Sequence, residues 1–140
     1  AERADVHLVL AGPRDRLLVL PRGERVHDLG LLAPDRIPVF LSALDVSVIC
    51  NRETDFGNYC FPQKFYESVA CGVPVISAAT GSLRELLAEW PDHLYVPGDA
   101  ESLAARLRSQ LTHPQQLPFQ TPTWYDLGIR MSAFLQKIIT

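Results

Sequence analysis

The stretch from Asp45 to Ile76 constrains the fold more tightly than any other part of this chain. It opens on Asp45-Val46-Ser47-Val48-Ile49-Cys50, a β-branched run that reads as a central strand, and continues into a polar loop from Asn51 to Asn58. From Pro62 onward Phe65, Tyr66, Val69 and Ala70 fall on one side of a helix, and Gly72 supplies its stop signal. Val73-Pro74-Val75-Ile76 is the strand that follows. A strand, a covering helix and a second strand in that order predict parallel pairing.

The rest of the chain continues the alternation. Val6 to Ala11 is a short apolar strand closed by Gly12-Pro13. Leu17-Leu18-Val19-Leu20 fits a helical turn or a strand, and Pro21 ends it either way. Arg25 to Gly30 reads as a strand entering a turn, and Pro34 to Leu44 as a helix with Ile37, Val39, Phe40, Leu41 and Leu44 at helical spacing. Beyond Ile76 come a helix over Gly81–Glu89 with Leu83, Leu86 and Leu87 apolar, a strand at Leu94-Tyr95-Val96, and helices over Asp99–Leu111 and Pro122–Ile139. The last carries Trp124, Leu127, Met131, Leu135 and Ile138 near one stripe, after a Pro- and Gln-rich connector from Thr112 to Pro122. The expected architecture is α/β, an open doubly wound parallel sheet of Rossmann-like form, with ligands beyond the carboxyl ends of the strands. That places the site in the loops after Ala11, Gly30, Cys50 and Ile76.

Composition narrows the function. At 140 residues the chain is sized for one domain, 1–140, ending in a C-terminal helix over 122–140. The net charge is -3 and the basic residues are scattered, which argues against a nucleic-acid surface. No apolar run approaches the roughly eighteen residues of a membrane span, and the first residues carry no hydrophobic signal core. Cys50, Cys60 and Cys71 are odd in number and lie in or beside apolar segments, so a reducing, cytoplasmic setting is expected. Their spacing matches no zinc signature, the histidines form no pair in sequence, and no metal is expected. Cys60 and Cys71 read as packed residues, and Trp90 and Trp124 as core or edge aromatics.

The segment that carries chemistry is again the one around Pro62. The first backbone amides of a helix are unpaired and partly positive, so a phosphate can sit at its start. Lys64 lies in that first turn, where a cation gains nothing from the helix dipole, which a bound anion nearby explains. Glu67 follows one turn later, and an ionised carboxylate can accept two hydrogen bonds from a ribose diol. The plain alternative is a solvated Lys64–Glu67 ion pair worth a few tenths of a kcal/mol. A phosphate and a ribose together make a nucleotide.

The run from Phe61 to Ile76, P-x-K-x-x-E-x-x-A-x-G-x-P-V-I from Pro62, resembles the donor-site helix of the nucleotide-sugar-binding C-terminal domain of GT-B glycosyltransferases of group 1, or family 4. The strand and glycine turn at Leu8 to Gly12, the Leu29-Gly30 and Pro34–Asp45 segment, Thr80-Gly81-Ser82-Leu83-Arg84-Glu85-Leu86, Val96-Pro97-Gly98-Asp99 with Leu103, and Trp124 resemble other blocks of that domain. The resemblance implies that Glu67 holds the donor ribose and that Lys64, with the free amides around Phe61, Pro62 and Gln63, faces the diphosphate. It implies that Gly12 lets the backbone pass close to the nucleotide, that the loop from His27 to Gly30 lines the base, and that Gly81 and Ser82 border the site. The substrate implied is a UDP- or GDP-linked sugar, with no cofactor and no metal, and the acceptor belongs to an N-terminal GT-B domain absent from this sequence. Any membrane association would come through that domain.

The sequence departs from the pattern at two places. Many members carry a glutamate eight positions before Glu67, where this chain has Tyr59; Glu53 and Asp55 are candidates for the missing acceptor to sugar hydroxyls, or else solvated loop acids. The family's first strand and helix do not precede Val6. Two further readings stay open, a non-catalytic nucleotide- or protein-binding domain and a GT-B sugar-nucleotide epimerase. The transferase reading predicts hexosyl transfer by a longer chain and no turnover by this domain alone.

Overall fold

The structure, a computed structural model, describes residues 5–13 and 19–139. Residues 17 and 18 of the ambiguous Leu17–Leu20 run lie outside the described residues, and Val19 and Leu20 belong to no regular element. The chain divides into two compact units, 1–40 and 41–140.

In the first unit β1 (Leu8–Leu10) and β2 (Val26–Asp28) pair in parallel, with Val9 opposite His27. The pairing runs on past β1, since Leu29 donates its amide to the Leu10 carbonyl at 2.9 Å and Gly12 donates to Gly30 at 2.8 Å. The Asp28 carboxylate accepts the Gly30 amide at 3.0 Å, an Asx turn that closes β2. The expected Pro34–Leu44 helix forms as a 3-10 turn over Pro34–Arg36 leading into α1 (Ile37–Ser42), which spans the boundary between the units.

The second unit is a three-stranded parallel sheet in the order β3 (Ser47–Ile49), β4 (Val75–Ala78), β5 (Leu94–Tyr95). The strands are thus parallel as the alternation requires, but their hydrogen bonds form two open sheets rather than one continuous one. All four residues of β4 are buried, as a central strand covered on both faces must be. The core joins Ile49, Phe65, Val75, Leu83, Leu87 and Leu117, with Trp90 and Phe119 packed at its edge. Several buried polar groups are matched: the Ser47 and Ser68 hydroxyls meet at 2.9 Å, and a ring nitrogen of His93 donates to the Val75 carbonyl at 2.6 Å, whereas the buried Thr80 hydroxyl has no hydrogen-bond partner.

Helix α3 (Gln63–Ala70) ends as the sequence requires. Gly72, at φ 70°, donates to the Val69 carbonyl, and Val73 donates to Ser68 at 3.1 Å, which is the full Schellman pair. Helices α4 (Gly81–Leu86) and α5 (Ala100–Thr112) follow; Asp99 caps α5 by accepting the amides of Glu101 and Ser102. The expected connector before the last helix is present, and it also enters the core, since Leu117 is buried and the Phe119 ring meets Phe65 edge-on at 5.5 Å. One expectation is corrected. In α6 (Trp124–Ile139) Trp124 is 86% exposed and is no core residue; the side chains of 124–138 are all exposed.

Candidate functional site

The segment expected to be a polar loop contains a helix, α2 (Asp55–Tyr59). Thr54 caps it, its hydroxyl accepting the Gly57 amide at 3.2 Å, and Asp55 in the first turn suits the helix dipole. Gly57 is buried, with its Cα turned against the Arg52 carbonyl where a side chain would have no room. The chain then turns sharply at Pro62, whose φ of -81° and ψ of 58° make an inverse γ-turn. That turn passes the Gln63 amide back to the Phe61 carbonyl at 2.9 Å, so one of the amides expected to be free at the start of α3 is already paired.

On α3 the Lys64–Glu67 ion pair, the plain alternative to a ligand-binding role, does not form. Glu67, half-buried, accepts instead from the Gln63 side-chain amide at 2.7 Å, an i,i+4 bond that fixes its rotamer and leaves its second oxygen available. Lys64 is exposed in the first turn and makes no ion pair among the described residues. Gln63, Lys64 and Glu67 lie within one arc of the helix, while Phe65 and Ser68 point into the core. The face therefore presents one cation and one oriented carboxylate, a set suited to a phosphate and a diol.

Glu53 is exposed and ion-paired with Arg84, whose Nη2 lies 2.9 Å from its carboxylate while Nε donates to the Ala79 carbonyl at 2.8 Å. Asp55 is exposed at the start of α2, and Tyr59 at its end is 88% exposed. Gly81, at φ 48°, donates its amide to the Asn58 side chain at 3.2 Å, and its Cα faces the Asn58 carbonyl so closely that any Cβ would collide with it. This contact, with Arg84–Glu53, latches α4 to α2. Beside the latch is a cavity of about 680 Å³. Tyr59, Phe61, Pro62 and Ser82 of the expected residues line it, together with Tyr66 and Glu85; Lys64 and Glu67 do not. Asn58, Tyr66, Arg84 and Glu85 were not among the expected site residues, although the Thr80-Gly81 pair at a helix start was a signal that a close approach needed a glycine there.

In the first unit Gly12 (φ 133°) and Gly30 (φ 63°) face open space where a Cβ would stand, and their backbones are hydrogen-bonded to each other. His27 is exposed, and its Nε2 lies 2.8 Å from Nδ1 of His7. The two rings are within 12° of parallel with centroids 5.1 Å apart, a separation that a bond between edge nitrogens accounts for and face-to-face stacking does not. This N–H···N bond requires one donor and one acceptor, so at least one imidazole is neutral while it holds. No metal-ligating cluster of three or more residues occurs among the described residues, and no described helix is long and apolar enough to cross a membrane.

Comparison with curated proteins returns no match. Among solved structures, the crystal structure of Anabaena HepE in complex with UDP superposes with a TM-score of 0.63 at 23% identity, over 81% of this chain and 33% of that one. This chain therefore spans about a third of that protein's length, and the likeness shows the fold, a Rossmann-like α/β arrangement of parallel strands. The sequence model of the group 1 glycosyl transferases matches residues 1–113, more than half of the chain, from before β1 to the end of α5. The chain belongs to the group 1 glycosyl transferases.

Proposed function

We propose that this chain is the donor-binding part of a glycosyltransferase, taking a nucleotide diphosphate sugar whose glycosyl group passes to an acceptor held by a further domain. The observation that carries the proposal is the face of α3, where Glu67 is oriented by Gln63 and an unpaired Lys64 sits one turn earlier. Glu67 accepts the ribose hydroxyls on its free oxygen. Lys64 and the start of α3 stabilise the diphosphate as the bond from its oxygen to the sugar's anomeric carbon breaks, because negative charge develops there. The UDP bound by HepE makes UDP the first nucleotide to try. The transferred group is a hexosyl unit, and this chain alone does not turn over, since the proposed acceptor domain is separate. Three free thiols suit a cytoplasmic setting.

For the first unit the proposal is separate: the glycine turns at Gly12 and Gly30 let a ligand approach the backbone closely, as the resemblance implies. The test is ligand-observed NMR on this chain with UDP, GDP and ADP, repeated on Glu67→Ala and Lys64→Ala. One nucleotide should bind, and each substitution should weaken it about tenfold, the loss of one charge-assisted contact. Absence of binding by all three, or binding indifferent to Glu67→Ala, removes the donor reading. Tyr59, where the resemblance implies a glutamate, favours the second reading of a nucleotide-binding domain without transfer chemistry, for which binding persists while the longer chain hydrolyses no donor.

A further inference from the structure

The His7–His27 pair belongs to the first unit, whereas α3 belongs to the second. Strand register makes it. β1 and β2 run parallel with Val9 opposite His27, and side chains two positions apart on a strand share a face, so His7 is the diagonal neighbour of His27. Ladder bonds fix the two backbones on either side of the pair, from the Leu8 amide to the Arg25 carbonyl at 2.8 Å and from the Leu29 amide to the Leu10 carbonyl at 2.9 Å. Both rings are exposed. Asp28, next along β2, starts on the other face, and its carboxylate accepts the Gly30 amide.

Two imidazole nitrogens 2.8 Å apart are close to the spacing of two ligands on one metal ion. Histidine binds zinc at about 2.0–2.1 Å, which sets neighbouring ligand nitrogens about 2.9 Å apart at right angles and about 3.4 Å apart in a tetrahedron. The hydrogen bond aims the two nitrogens at each other, and a metal needs both aimed at a third point. The outer torsion of a histidine side chain is soft, and exposure leaves these rings room to turn. The proton between them also has a place to go. In a neutral pair it moves to the outward nitrogen of its own ring, and both inner nitrogens then present lone pairs. Imidazole suits zinc, nickel and copper, whereas magnesium and calcium take oxygen ligands. The first unit has no cysteine, so no softer ligand competes within it, and water fills the remaining positions on the ion. No spacing rule marks histidines twenty residues apart, which is why the sequence gave no sign of this pair.

We propose that His7 and His27 form a two-histidine site for a divalent late transition-metal ion: zinc, nickel or copper. The proposal does not depend on the nucleotide reading, which involves no metal. Its test is protein-observed NMR of this chain without nucleotide, following the histidine ring signals and the backbone amides as zinc chloride is added, with magnesium chloride in a parallel run. Zinc should move the ring signals of His7 and His27 together and saturate at one ion per pair. The dissociation constant should be on the order of 10–100 μM, about half the binding free energy of a four-ligand zinc site. Magnesium should leave both rings unmoved. His7→Asn and His27→Gln put a side-chain amide where the ring nitrogen stood, so they keep a hydrogen bond between the strands and remove a ligand. Each should weaken zinc binding at least tenfold, and His113→Asn, at an exposed histidine outside the pair, should leave it unchanged. The proposal is overturned if zinc shifts only the amides around Cys50, Cys60 or Cys71, or if it moves one ring of the pair without the other. It is equally overturned if magnesium moves both rings as zinc does, or if His7→Asn and His27→Gln bind zinc as tightly as the wild type.

Discussion

Tyr95 shows how much a single buried hydroxyl can carry. Only 6% exposed, it donates to the Ile49 carbonyl at 3.2 Å and so ties β5 to the end of β3 across the central strand. Burial first, and then the hydrogen bond and charge of Cys50, push its phenol above the ordinary value of 10.0. An acid whose pKa is raised by folding loses its proton first in the unfolded chain, so its contribution is complete below about pH 10 and declines above it. Urea midpoints should therefore fall between pH 8 and roughly pH 10.5 more steeply for the wild type than for Tyr95→Phe, and an equal fall in both removes this account. At neutral pH the substitution should cost about 1 kcal/mol, for the hydrogen bond lost. The residue scale also marks a limit of reading sequence. Lys64 and Glu67 were legible as a pair of interest, but their relation was not, because Gln63 stands four positions before Glu67 and competes for it at 2.7 Å. Spacing alone allows both pairings.

At the scale of elements, legibility follows how local the deciding interactions are. The end of α3 was readable because a Schellman motif is written within six residues and closes on a glycine. The start of α2 was equally local, with Thr54 as cap and Asp55 in the first turn, and was passed over because the segment is short, mostly polar and holds a glycine at its centre. The packing of Leu117 and Phe119 could not be seen, since their partners Phe65 and Trp90 are distant in sequence. The two glycines with helical-terminus roles give a graded prediction. Gly72→Ala keeps its surroundings and suffers only the left-handed backbone, costing about 1–2 kcal/mol. Gly81→Ala adds a collision with the Asn58 backbone and strains the α2–α4 latch, so it should cost more than Gly72→Ala and should shift the amide signals of residues 53–61. Urea denaturation and one heteronuclear spectrum of each variant decide it; equal costs with an undisturbed loop would mean that the latch does not hold α2.

For the whole molecule, the alternation of strands and helices fixed the class but could not say where the sheet divides, because pairing between strands rests on contacts far apart in the chain. The division has an energetic counterpart. No described side chain in 5–40 is buried, whereas every member of the main core cluster lies between Ile49 and Leu117. The exposed stripe of α6 adds nothing to that cluster. A chain cut to residues 37–122, which keeps α1 whole and removes α6, should thus retain one cooperative unfolding transition. Trp90, partly buried against Phe119 with ring centroids 5.0 Å apart, becomes its single tryptophan and reports the core directly by fluorescence. In the same fragment Phe65→Ala removes a fully buried ring that meets both Tyr66 and Phe119, and should cost about 3–5 kcal/mol. A gradual change of Trp90 fluorescence in urea, without a sigmoidal midpoint, would show that the core between Ile49 and Leu117 is incomplete without the residues removed. A sharp midpoint in the fragment that Phe65→Ala lowers or abolishes would identify the second unit as the part of the molecule that folds and that holds the α3 face in place.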